Sequence, residues 1–273
     1  MCLRPASKKV TKKTNWLTQP VSSIKNLISN SYILDRRRIK KKLKSARYKN
    51  FEVRLAKNFK DIDAAQNLRY KVFYEELKAK PTIKNILYEK DFDELDPFCD
   101  HLLVIDHNKK SKLESIVGTY RLIRRPMTQI HGKFYTEGEF DIKNILKTKG
   151  EILELGRSCV HQNYRNGTIM NLLWKAIAEY VKLYDIKVLI GCASFSGTDP
   201  IQYSEELSYL RDNFSLPANL SVERYDNNIY PAYKILYKFL VSILYYYICN
   251  QFHQIYLINH YNRFYYNHRA VLK

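Results

Sequence analysis

The chain has 273 residues, 45% of them hydrophobic, with only 8 glycines and 8 prolines; that is enough for a real core and excludes collagen-like or Gly/Pro-linker architectures. Its formal charge of +19 is uneven: residues 1–50 hold 15 Lys/Arg against one acid, Asp35, so +14 belongs to an N-terminal arm and +5 to the remainder. The arm is densest from Arg36 to Lys44 and suits a phosphate-rich or acidic surface; a solvated, flexible tail is the alternative.

Beyond the arm, FEVRLA (51–56) alternates as a strand. Asp61 is the expected cap of a helix reaching about Lys78, with Ala64, Ala65, Leu68, Val72, Phe73 and Leu77 on its apolar face. Residues 82–99 are acidic and read as loop. HLLVID (101–106) and SIVGTYRLI (115–123) read as a hairpin. A loop with Pro126, Gly132 and Gly138 follows, then a short helix at about Ile142 to Leu146. EILELGRSCV (151–160) is the next strand, Thr168 to Tyr184 an amphipathic helix, KVLIGCAS (187–194) a strand and Gln202 to Asn213 a helix. The order predicts an α/β fold with a mixed sheet, an antiparallel hairpin beside a β-helix-β crossover. No GxGxxG follows a strand, which argues against a dinucleotide domain.

The cysteines, Cys2, Cys99, Cys159, Cys192 and Cys249, show no CxxC spacing, so no zinc site or redox pair is expected and reduced core residues in a cytosolic protein are. His101 and His161 lack metal-spaced partners, Ser194 and Ser196 form no GxSxG, and no metal is expected. The apolar stretch Ile235 to Cys249 is interrupted by Lys238 and falls short of the roughly 20 residues of a spanning helix. No secretory signal is read at the N-terminus. The most informative stretch is LELGRSCV (153–160), a strand that carries Glu154 and Arg157 into an expected core and then runs through a turn to a helix N-terminus.

The blocks LRYKVFYEEL (68–77), CDHLLVID (99–106), VGTYRLI (117–123), LELGRSCV (153–160), NLLW (171–174) and GCASFSGTDP (191–200) closely resemble the ornithine-lipid N-acyltransferases, hemolysin-like members of the GNAT superfamily distantly related to acyl-homoserine-lactone synthases. The resemblance covers about residues 51–225. It implies a GNAT-like mixed sheet with helices on both faces, and transfer of a 3-hydroxyacyl chain from acyl carrier protein to the α-amino group of ornithine. No bound cofactor is implied; the donor is the phosphopantetheine thioester of the carrier. Peripheral contact with an anionic membrane, on the cytoplasmic face, is the further expectation, with no specific nucleic acid as partner.

The resemblance implies that strands 153–160 and 187–194 splay to admit the pantetheine arm, with Val160 beside it and Arg165, Asn166, Gly167 and Thr168 at its phosphate; an ordinary surface turn is the alternative. The family's Gly-rich phosphate motif is reduced here to Gly167, and Arg165 is expected to supply charge instead. Glu154 becomes the general base or amine-orienting carboxylate. Arg157 is expected to hold it or to bind substrate; a structural Glu–Arg pair is the alternative. Residues three apart on a strand face opposite ways unless a bulge intervenes. Arg69 and Phe73, at i and i+4 of one helix, are implied near the acceptor or acyl pocket, Asp93 and Asp96 at the cationic amine, and Arg121 at the α-carboxylate or the carrier interface. After about Tyr225 the resemblance stops, and residues 226–273 read as an atypical, truncated or frameshifted Tyr-rich tail. Two alternatives stand beside the leading reading: a decayed, non-catalytic remnant, and an autoinducer-synthase-like acyltransferase.

Overall fold

The computed structural model of the protein describes residues 43–194, 200–205, 208–209, 212, 220, 222–224 and 271–272. The expectations for most of the arm, for Ile235 to Cys249 and for most of the tail lie outside these residues. Six strands form the main sheet in the order β1-β2-β3-β4-β6-β7. They are β1 (Ala46–Tyr48), β2 (Phe51–Leu55), β3 (Asp100–Asp106), β4 (Ile116–Arg124), β6 (Glu151–Val160) and β7 (Ile186–Ile190), while β5 (Phe140–Asp141) lies in a separate two-stranded pair. β1 shows that the sheet begins inside the segment that the charge profile assigned to the arm. Neighbours from β1 to β6 run antiparallel, and β6 and β7 run parallel.

A parallel pair requires a crossover, supplied here by α4 (Thr168–Tyr184) once α1 (Phe59–Tyr70), α2 (Ile83–Tyr88) and α3 (Arg125–His131) have been passed. The stripe Ile169, Leu172, Leu173, Ala176, Ile177, Tyr180 and Val181 is buried, as its 3.6-residue spacing predicts. α4 sits close on the sheet: a Cβ at Gly118 of β4 would overlap Ile169 Cγ2. At its far end Tyr180 Oη donates to Asp100 Oδ2 at 2.8 Å.

The opposite face carries two apolar clusters. One joins Ala64, Ala65, Leu68, Val72 and Phe73 to Leu103, Ile105, Ile116 and Cys159. The other joins Leu95, Cys99, Ile123, Phe134, Phe140, Ile142, Ile145, Ile152, Val188, Ile190 and Cys192. Asn58, not Asp61, caps α1: its extended backbone lets the side chain accept from the Asp61 N–H at 3.1 Å. Asp61 lies a turn further in, fully buried, accepting from Arg54 at 2.7 Å and from the Lys57 N–H at 2.7 Å. After Tyr70 the helix widens into a π-helical turn, Lys71–Glu76.

Two stretches differ from the loops expected there. Residues 82–99 contain α2, opened by a Thr82–Asn85 capping box, and Pro126 starts α3 from its first turn, where its missing N–H costs nothing. The last predicted helix is described only in part, with a 3₁₀ turn at Pro200–Tyr203 and helical residues at 204–205, 208–209 and 212.

Candidate active site

β6 and β7 pair only at their beginnings, from Glu151 opposite Ile186 to Glu154 opposite Ile190. Past Glu154 the two strands part. On its other edge β6 carries a bulge: Thr119 faces Cys159 and Arg121 faces Gly156, so three steps on β6 match two on β4. Arg157 lies in this bulge with φ 48°, in the left-handed region. The extra residue lets Arg157 reach the side of the sheet that also carries Glu154 and Arg121.

Glu154 sits at the point of divergence and is buried. Its Oε2 accepts from the Tyr135 N–H at 2.8 Å; its Oε1 accepts from the Thr136 N–H at 2.7 Å and from the Thr136 hydroxyl. Burial pushes the carboxyl above its ordinary range, against the hydrogen bonds from Thr136 and Tyr135 and the charge of Arg121. Two backbone amides and a hydroxyl therefore hold the carboxylate, and Arg157 does not. Tyr135 and Thr136 carry no local sequence signal for this task, because their contribution is mainly main-chain.

Arg157 belongs to a second assembly, an ionic network that adjoins both apolar clusters. Arg69, fully buried, pairs through Nε with Asp91 at 2.8 Å and through Nη2 with Asp96 at 2.6 Å. Arg121 pairs with Asp93 at 2.6 Å and Asp96 at 3.0 Å. Arg157 pairs with Asp91 at 3.3 Å and Asp93 at 3.1 Å, and its guanidinium lies 5.9 Å from the Tyr135 ring centroid. Three arginines thus alternate with three aspartates. Burial alone would raise the Asp96 carboxyl; Arg69 and Arg121 outweigh it and hold the group well below the carboxylate range. Four of the residues singled out by resemblance, Arg69, Asp93, Asp96 and Arg121, meet here with Arg157. Asp91 completes the set, and only its place in the acidic run DFDELD hints at it. Phe73 does not join them; it packs in the apolar cluster under α1.

Val160 ends β6 opposite Gly118 and is buried. Gly167 adopts φ 89° immediately before α4, and Asn166 Oδ1 accepts from the Thr168 N–H at 3.1 Å. Arg165 Nη2 pairs with Glu76 at 2.7 Å, and its Nε donates to the Val160 carbonyl at 2.9 Å. Its charge is therefore already engaged by the π-helical turn.

A sheet whose one parallel pair parts beside a buried carboxylate, and whose crossover helix begins at that opening, is the GNAT architecture, and the acetyltransferase (GNAT) domain model matches residues 68–175. The chain carries a GNAT domain with a GNAT-like mixed sheet. Within that class it is similar to L-ornithine N(alpha)-acyltransferases. It is 39% identical over 172 residues to the one from Rhodobacter capsulatus, covering 63% of this chain and 66% of that protein. It is 42% identical over 165 residues to the one from Agrobacterium fabrum, covering 59% and 56%. The match thus spans less than two thirds of either relative. Among solved structures, the AHL synthase LasI aligns with a TM-score of 0.38 at 15% identity, covering 59% of this chain and 77% of that one.

Proposed function

We propose that this protein is an N-acyltransferase that moves a 3-hydroxyacyl chain from acyl carrier protein to the α-amino group of ornithine, the first step toward an ornithine lipid. The observation that carries the reading is Glu154, a buried carboxylate with a raised proton affinity, fixed by backbone amides where two parallel strands open. A thioester is already activated, so its aminolysis needs no protein nucleophile. It needs a deprotonated amine, a held thioester and donors for the oxyanion.

An α-amino group has a pKa near 8, so a modest base suffices. Glu154 takes a proton from the ammonium. The amine lone pair forms the new C–N bond, the C–S bond breaks, and the leaving thiolate accepts the second amine proton. A raised carboxyl pKa brings the base nearer to working pH and strengthens it. In this reading the ionic network receives ornithine, with Asp93 and Asp96 toward its cationic side chain and Arg121 or Arg157 toward its carboxylate. The pantetheine arm lies along β6 from Leu155 to Val160, beyond its pairing with β7, and its phosphate meets Asn166, Gly167 and Thr168 at the N-terminus of α4. Glu76 already engages Arg165, so the helix terminus takes the larger share of that phosphate charge. The net +14 of the first fifty residues suits both an acidic carrier and an anionic membrane surface, and supports a peripheral position on the cytoplasmic face.

The test is mass spectrometry of lipids from cells that make no ornithine lipid, expressing either this chain or its Glu154→Ala variant. Acyl-ornithine from the first and not from the second is expected. None from either, with both chains folded, rejects the reading in favour of a non-catalytic protein.

A further inference from the structure

Between the π-helical turn and the ionic network the chain makes an excursion from Lys78 to Tyr88 that buries little. Lys78, Ala79, Lys80 and Thr82 are exposed, and on α2 Ile83 is 85%, Leu87 73%, Tyr88 58% and Ile86 54% exposed. Ile83, Ile86 and Leu87 stand at i, i+3 and i+4, so three aliphatic side chains share one outward face. Their exposure is not the looseness of a helix without a seat. Asn85, the buried residue of α2, closes the capping box with Thr82 and donates to the Lys90 carbonyl at 2.8 Å. Asn67 donates to the Glu89 carbonyl at 3.1 Å, and Lys90 pairs with Asp63 at 2.5 Å. The underside is thus tied to α1 while the apolar face points away.

The same segment exposes Lys78, Lys80 and Lys84, and its one acid neighbour on the C-terminal side of α2 is the exposed Glu89. Exposed aliphatic side chains and lysines in one short segment match an anionic bilayer surface: the aliphatic tips enter the boundary between headgroups and acyl chains, and the ammonium groups meet lipid phosphates. A short, stiff projection suits this role, because immobilising it on the membrane costs little further entropy. We propose that the Lys78–Tyr88 knuckle docks this protein on anionic membrane, with Ile83, Ile86 and Leu87 inserted. The proposal rests on the peripheral-membrane reading above and not on the chemistry at Glu154.

The test uses the full chain with vesicles of phosphatidylcholine, with or without phosphatidylglycerol. Leu87→Trp in a Trp16→Phe background reports insertion, since Trp174 gives a constant signal. A blue shift with phosphatidylglycerol vesicles is expected, together with a drop of about tenfold or more in vesicle partition for I83S/L87S. The changed side chains are exposed, so the melting temperature should not move. The proposal is overturned if I83S/L87S sediments with vesicles as well as the unaltered chain does. It is also overturned if the emission of the Leu87→Trp reporter stays unshifted while the protein sediments, which would leave the arm as the anchor. A reporter emission already blue-shifted without vesicles, or shifted by acyl carrier protein in solution, would overturn it too, assigning the face to another segment of this chain or to a protein partner. Loss of ornithine acylation leaves each of these readouts unchanged, so the two readings fail separately.

Discussion

Removing Arg69 tests whether the ionic network holds the two apolar clusters together. Arg69→Leu deletes the fully buried guanidinium that pairs with Asp91 at 2.8 Å and Asp96 at 2.6 Å. Breaking a buried pair from one side costs about 3–5 kcal/mol, because the abandoned charge stays buried. Here the carboxylates keep partners: Asp96 retains Arg121 at 3.0 Å and Gln66 at 2.9 Å, and Asp91 retains Arg157 at 3.3 Å and the Tyr74 hydroxyl at 2.8 Å. The loss should therefore fall near the lower end, about 3 kcal/mol, or a melting point lower by about 6–12 °C for a domain of this size. Circular dichroism melts of purified protein measure it. Asp96 carries a depressed folded pKa, so its contribution is present above the ordinary carboxylate pKa and is lost as pH falls toward the folded value. Arg69→Leu lets that pKa rise, and its deficit should shrink on acidification below about pH 4. In a double-mutant cycle, Arg69→Leu and Asp96→Asn should couple by about 1 kcal/mol or more. A shift under about 2 °C, or strict additivity with Asp96→Asn, would show that the network is not a structural tie.

Glu154→Gln should slow acyl-ornithine formation by about 10²–10⁴-fold if Glu154 is the base. It also sets an amide NH₂ against N–H donors at a cost of about 1–3 kcal/mol, so rates belong at a temperature where melts show the variant folded. Gly118→Ala drives a methyl into Ile169 and should cost about 1–3 kcal/mol, seen as a lower denaturation midpoint with an unchanged slope. Burial raises the Asp61 carboxyl, but hydrogen bonds from Arg54, Lys112 and Lys57 outweigh this and leave its pKa lowered. Asp61→Asn should then show its full destabilisation at pH 7, a deficit that begins to shrink only below about pH 3.9 and vanishes as pH falls to the lower folded pKa, as urea melts across pH would reveal.

The elements with one clear period were legible in the sequence. The stripe of α4 and the strand β6 appear where their spacing puts them, because each depends on local pattern and burial on a known face. The segment 82–99 misled for a physical reason. Carboxylates in a short run usually solvate, and nothing within that run announces arginines at 69, 121 and 157, so Asp91, Asp93 and Asp96 read as surface residues when taken locally. The i and i+4 spacing of Arg69 and Phe73 predicts one shared helix face, yet Phe73 falls in the π-helical turn and packs in the apolar cluster while Arg69 serves the ionic network. The cradle of Glu154 was illegible for a different reason, since main-chain N–H groups are present in every non-proline residue and leave no trace in side-chain identity.

The bulge at Arg157 also sets what β6 can tolerate. Up to Gly156 the even-numbered positions of β6 stand opposite the odd-numbered Ile123 and Arg121 of β4; beyond it the odd-numbered Cys159 stands opposite the odd-numbered Thr119. One inserted position thus reverses the parity of the strand. A single-residue deletion there would leave two steps on β6 against two on β4: Cys159 would keep its place opposite Thr119, but the bulge that brings a guanidinium to the Glu154 side would be gone. Lineages of this domain should therefore accept substitutions along β6 far more readily than changes in its length.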